Sequence, residues 1–188
     1  MKLKSILVSA SLVAVAGISH AANFVVDALA NSSSGGSGAA TVSLLLGQSF
    51  SVSVASTDLW SAGGLPRWSN ADGLGVNLFA TGSDESAQSV GTQIGKDWGN
   101  YSQGGLTSKY GSLVGQIGSG NYFVVGTNYS GTAATAGTLK LFYWDSNAGD
   151  NSQFITANVT AVPEPETYAL MLAGLGAVGF MARRRRAI

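Results

Sequence analysis

Between Phe24 and Val159 the apolar residues fall in short runs of period two, and no stretch keeps the spacing of an amphipathic helix. Ser49–Ala55 is the clearest run: Phe50, Val52 and Val54 alternate with Ser51 and Ser53, as in a strand with one face on a core. In Thr138–Trp144, Leu139, Leu141 and Tyr143 alternate with Lys140, Phe142 and Trp144. Phe24–Ala28, Thr41–Leu46, Gly75–Ala80, Ser112–Ile117, Tyr122–Thr127 and Gln153–Val159 complete a set of short β segments, separated by Gly, Ser, Asn and Thr. About eight such segments without helical periodicity predict an all-β body, an antiparallel β-sandwich. Asn31–Ala40 (NSSSGGSGAA) is low in complexity and reads as a flexible loop.

Both ends of the chain have a different character. Met1–Ala21 reads as a signal helix: Lys2 and Lys4, an apolar run Ile6–Ile18, then Ser19-His20-Ala21 at a small-x-small cleavage site. Thirteen apolar residues are too few to span a bilayer. The other end holds Pro163, Glu164 and Pro165, then an uncharged run Tyr168–Ala182, then Arg183, Arg184, Arg185 and Arg186. The run reads as a C-terminal transmembrane helix of roughly 22 Å, short for a hydrocarbon core of about 30 Å. Gly174, Gly176 and Gly179 weaken it as a soluble helix. The arginines favour the cytoplasmic side and leave the body outside. The prolines keep helix from running back into the body and leave an accessible extended segment beside the membrane. Three regions follow: a signal peptide at 1–21, a β-sandwich domain at 22–160 and a tail at 161–188.

This order of parts resembles the PEP-CTERM sorting signal, which an exosortase recognises and cleaves. The resemblance implies export by signal peptidase and the secretion machinery, transient anchoring in the inner membrane, and delivery to the cell surface or medium. An ordinary single-pass anchor, or a buried helix with a basic tail, leaves the Pro-Glu-Pro triplet unexplained.

With both ends set aside, four cations (Arg67, Lys96, Lys109, Lys140) face eight carboxylates (Asp27, Asp58, Asp72, Asp84, Glu85, Asp97, Asp145, Asp150), a net charge of −4. No basic stripe remains for nucleic acid. The chain has no cysteine, and its one histidine, His20, lies in the signal peptide. The mature body therefore lacks the means for a Ser-His-Asp triad, a cysteine nucleophile or an ordinary zinc site. Asp84-Glu85 with Asp97 is the one arrangement resembling a glycosidase carboxylate pair, and its plainer reading is a solvated loop. The expectation is a protein that is not an enzyme.

Two long loops, Ser56–Leu74 and Thr81–Gly111, carry Trp60, Trp68, Trp98 and Tyr101. Aromatic residues in long loops either pack or bind. Trp60 and Trp68 are candidates for stacking on sugar rings, and equally for fastening their own loop to the sandwich. Asp145-Ser146-Asn147-Ala148-Gly149-Asp150-Asn151-Ser152 gathers carboxylates, amides and hydroxyls in one loop. Calcium takes six to eight such oxygens, and the same residues are ordinary turn formers.

The strand Leu139–Trp144 leading into Asp145, the Gly149-Asp150-Asn151-Ser152 turn before Gln153–Thr156, Gly115-Gln116-Ile117-Gly118 and Arg67-Trp68 resemble the PA-IL family. These are calcium-dependent, galactose-binding bacterial lectins built as β-sandwiches. The resemblance covers roughly Phe50 to Val159. It implies calcium on Asp145, Asp150 and Asn151, a backbone carbonyl from Ala62 or Gly63, and Asn147 in the place of a threonine that contacts both metal and sugar. The loop here is shorter than the family's, and the family's sugar-binding histidine is absent. The expected function is an exported surface or matrix protein with a calcium-assisted carbohydrate-binding domain, plausibly for the exopolysaccharide of a biofilm. A structural matrix spacer without ligand is the alternative.

Overall fold

The computed structural model describes residues 20–162 and 165–185. Most of the expected signal peptide, residues 1–19, and Pro163, Glu164 and Arg186 of the tail lie outside the described residues. The body is built from β1 (His20–Asp27), β2 (Ala39–Leu44), β3 (Ser49–Val54), β4 (Trp60–Ser61), β5 (Trp68–Ser69), β6 (Leu78–Phe79) and β7 (Gln93–Gly95). There follow β8 (Asn100–Gln103), β9 (Leu106–Lys109), β10 (Leu113–Ile117), β11 (Tyr122–Val124), β12 (Asn128–Thr132), β13 (Gly137–Tyr143) and β14 (Phe154–Ala161). Two four-stranded sheets, β1-β14-β3-β12 and β11-β10-β13-β2, are antiparallel throughout. Three two-stranded hairpins, β4-β5, β6-β7 and β8-β9, organise the two long loops.

The period-two pattern explains the core. In β3, Phe50, Val52 and Val54 turn inward while the serines face out. They meet Val26, Ile155, Ala157 and Val159 of their own sheet and Leu113, Leu139, Leu141 and Tyr143 of the other. At roughly 1.5–3 kcal/mol for each large side chain buried, this shared interior is the main force holding the sheets together.

The fold departs from the sequence expectation in several places. Beyond the alternation, the second face at the end of β13 is also covered: Phe142, and Trp144 just past the strand, are buried with Val114 beneath Tyr101, Leu106 and Tyr122 of the β8-β9 hairpin and β11. Trp144 Nε1 donates to the Tyr101 carbonyl at 3.0 Å. Gly75–Ala80 supplies only β6, part of a side hairpin packed through Leu78 on Leu59, Ala80 and Ile94. The missing sandwich strand is β12, whose Asn-Tyr-Ser-Gly-Thr sequence has one large apolar residue. Tyr129 alone joins it to the core, with ring centroids 5.3 Å from Phe50 and 5.0 Å from Phe123.

Asn31–Ala40 is likewise fastened down in its first half. Ser32 forms a parallel bridge to Tyr143, and Ser33 N–H donates to the Tyr143 carbonyl at 2.8 Å. Ser32 and Ser33 are both buried. Small hydroxyl side chains fit beside a strand end and satisfy its backbone, which bulkier residues would not do.

The tail forms a separate unit, helix α1 (Pro165–Arg185). Proline at its first position needs no N–H partner. Residues 171–180 are exposed all round. Among the described residues no helix is long and apolar enough to cross a membrane. The expected span over Tyr168–Ala182 therefore falls short in this helix: Glu166 and Arg183 bound its apolar stretch, and three glycines dilute it.

Candidate functional site

A cleft of about 320 Å3 opens beyond the C-terminal end of β13, lined by Ala62, Arg67, Leu74, Trp98, Tyr110, Asp145, Ser146, Asn147 and Asp150. Its floor is set by backbone pairing. Ser61 and Ser152 exchange two hydrogen bonds, each 3.0 Å, which brings Ala62 and Gly63 beside Asp150. Gly63 adopts φ +122°, and a Cβ there would overlap Asp150 Oδ2. Only a glycine allows this approach.

Asp145 enters the cleft as β13 ends. Ser33 holds its backbone from both sides, donating through Oγ to the Asp145 carbonyl at 3.1 Å and accepting from Asp145 N–H at 3.2 Å. Asp145 Oδ1 accepts from Ser146 N–H at 2.7 Å. Burial pushes this carboxyl above its ordinary range, and the nearby Asp150 charge adds to the rise; N–H donors of Ser146 and Asn147 and the Asn151 amide oppose it. Desolvation of a carboxylate without a cation partner has this effect.

Asn151 lies beneath the cleft, buried, with Nδ2 donating to the Ala28 carbonyl at 3.0 Å. Its Oδ1 has no hydrogen-bond partner. The Tyr143 hydroxyl, also buried, is a second unpartnered atom, its acidity suppressed by burial and then by the Asp145 and Asp150 charges. Orphaned buried oxygens are uncommon and point to a missing partner.

Asp150 is already engaged. Arg67 Nη1 lies 3.0 Å from Asp150 Oδ2 and 3.3 Å from the Ala62 carbonyl, and Asn147 Nδ2 donates to Asp150 Oδ1 at 3.0 Å. Asn147 Oδ1 accepts from Gly149 N–H at 3.2 Å, capping a 3-10 turn at Ala148–Asp150. The Gly63 carbonyl accepts from Ser61 Oγ at 2.6 Å. Among the described residues no three of His, Cys, Asp and Glu converge. Of the cleft's oxygens, those of Asp150, Asn147 and Ala62 are already engaged by these partners, while Asp145 has no cation beside it.

The structure brings Asp145, Asn147 and Asp150 to one cleft, with Asn151 below. It does not bring Trp60 or Trp68 there. Trp60 is a correction: it is fully buried, donating to the Gly111 carbonyl at 2.9 Å, and has no face to offer a sugar. Trp68 packs partly buried on Leu59, Ala80 and Ile94 and lines a separate, small cleft of about 50 Å3. The tryptophan at the candidate site is Trp98, 40% exposed, with Nε1 donating to the Pro66 carbonyl at 2.9 Å. Arg67 stands 4.9 Å and Lys96 4.6 Å from its ring centre. Trp98 and Ser33 reach the site from distant parts of the chain, so spacing alone did not mark them.

Asp84 and Asp97, two of the three glycosidase-like carboxylates, are tied to their own loops by hydrogen bonds. Asp84 accepts from Ser86 and Thr81 and is held well below the usual carboxylate range, first by the Ser86 hydroxyl and then by the Thr81 N–H. Asp97 is lowered by Gly99 N–H and then by Lys109, which pairs with it at 3.2 Å. A general acid needs a shift in the opposite direction.

At the tail, the body's hydrogen bonds run to Val162, immediately before Pro163. Val162 N–H donates to the Ser49 carbonyl at 3.0 Å, and Gln48 Nε2 donates to the Val162 carbonyl at 3.1 Å. Ala161 pairs with His20 and Phe50, so both ends of the body lie on neighbouring strands. The predicted cleavage after Ala21 falls within β1.

Fold and tail together define a β-sandwich protein that ends in a sorting segment. That segment, residues 161–186, matches the PEP-CTERM protein-sorting motif. Among solved structures, a chain described as "EclA N-terminal domain; PllA-like lectin" is similar at a TM-score of 0.44 and 17% identity, over 75% of this chain and 94% of its own. No curated protein matches the chain.

Proposed function

We propose that this is an exosortase-sorted surface or matrix protein whose β-sandwich binds carbohydrate with the help of calcium. The observation that carries the reading is the cleft: Asp145 raised by burial, the orphaned Asn151 Oδ1 beneath it, and Trp98 and Tyr110 on its walls. Asp145, Asn151 and, after rearrangement, Asp150, Asn147 and the Ala62 carbonyl would hold the ion. The bound ion would neutralise the buried carboxylate and present free coordination positions to sugar hydroxyls. Leu74, Tyr110 and Trp98 supply apolar surface for a ring, in a volume at the small end of ligand sites. The tail would anchor the precursor transiently in the inner membrane before exosortase releases or transfers the body.

One observation favours the spacer reading: both Asp150 oxygens are satisfied by Arg67 and Asn147. A glycan array with and without calcium separates the two. Calcium-dependent binding lost in Asp145→Asn supports the lectin-like reading; silence in both conditions supports the spacer.

A further inference from the structure

We propose that Arg67 is a built-in competitor for the calcium site, displaced onto Trp98 when the ion binds. This rests on the calcium reading above and concerns how that site is controlled. One guanidinium nitrogen bridges Asp150 Oδ2 at 3.0 Å and the Ala62 carbonyl at 3.3 Å. These are a carboxylate and a backbone oxygen of the set calcium would use. The site therefore already contains a cation, whose N–H donors point at the same oxygens.

Calcium and the guanidinium cannot share Asp150 closely, since both are positive and both seek the same lone pairs. Trp98 can retain the guanidinium once it leaves Asp150: Arg67 Cζ already stands 4.9 Å from the ring centre while paired, beside Lys96 Nζ at 4.6 Å. The pair is partly exposed, 37% and 41% for the two side chains, so its hold on the site is modest and reversible. Arg67 thus keeps the apo cleft electrostatically closed at low calcium and makes opening depend on the ion outside the cell.

Calcium titration by calorimetry on the full chain in detergent, wild type against Arg67→Gln, tests this. Arg67→Gln should bind tighter, by up to about fivefold, and calcium should change a tryptophan emission that Trp98→Phe abolishes. Equal affinities would overturn the competitor role while leaving the calcium site standing. Silence in both proteins would end the calcium reading and this proposal with it. Binding by Arg67→Gln alone would support it. Should Arg67→Gln fail to fold, wild type and Trp98→Phe suffice: saturating calcium without any Trp98-dependent emission change overturns the displacement.

Discussion

Trp60 stands edge-on to Tyr143, with ring centroids 4.5 Å apart and planes at 89°, and neither ring touches solvent. The contact joins the short β4 of a side hairpin to the central strand β13. It fixes the hairpin that carries Ala62, Gly63 and Arg67 against the strand that delivers Asp145. Trp60→Ala should therefore cost about 3–5 kcal/mol, as large aromatic truncations in a core do. Trp98→Ala, at the exposed cleft wall, should cost about 1 kcal/mol or less. Urea unfolding monitored by circular dichroism gives both values; equal losses would contradict the assignment of the two tryptophans to core and cleft.

Gly63 and Gly64 are adjacent, yet their substitution should differ. An alanine at 63 meets Asp150 Oδ2 and lies 3.1 Å from Arg67 Nη1, at φ +122°. Gly63→Ala should lose about 1–3 kcal/mol from strain alone and disrupt the Arg67–Asp150 pair. Nothing lies within 4 Å of a Cβ at Gly64, so Gly64→Ala should stay within about 0.5 kcal/mol of wild type. Parallel melts of the two variants check this.

Asp145 sets an opposed pair of expectations. Its carboxyl is raised by burial, so without calcium its contribution to stability is full below the unfolded value near 3.8 and is lost as pH rises through the raised folded value. Asp145→Asn should accordingly raise the melting temperature of the calcium-free protein at pH 7 by a few degrees and abolish the rise calcium gives wild type. A calcium-dependent shift that survives in Asp145→Asn would remove this residue from the ion site.

Asp84 behaves in the opposite sense. Its folded acidity is depressed by Ser86 and Thr81, so it stabilises the loop above pH 3.8 and loses that effect as pH falls through the lower folded value. Asp84→Asn should melt below wild type at pH 7, and the gap should close toward pH 2. A gap independent of pH would mean that shape, not charge, holds the loop.

The exported product should begin near Ala22 and end between Val162 and Arg183, since the body holds its chain by hydrogen bonds as far as Val162. Peptide mass spectrometry of protein from the medium reads both ends. Intact Arg183–Arg186 on that product would defeat processing at the sorting motif.

Strand identity was legible where side-chain alternation was strong. Phe50, Val52 and Val54 dictate which face of β3 turns inward, because a one-residue slip would expose all three. β12 was not legible: Asn128–Thr132 contains only Tyr129 to mark a face, and its place comes from pairing with β3. The acidic loop was visible as a group of oxygen-bearing residues, and Asp145, Asn147 and Asp150 do meet at one cleft. For Trp60 and Trp68 the sequence left sugar stacking and loop fastening equally open, because an aromatic in a long loop carries no sign of whether it points in or out; the structure packs both.

The sequence by itself determined a sorting tail, an alternating β body without cysteine, and the residues of the acidic loop. These depend on local order, period and composition. Tertiary structure alone decided that Ser33 holds Asp145, that Gly63 abuts Asp150, that Trp98 and not Trp60 borders the cleft, and that Arg67 sits among the carboxylates. Those relations join residues as much as 112 positions apart, and they exist only once two sheets and their side hairpins have packed on one core.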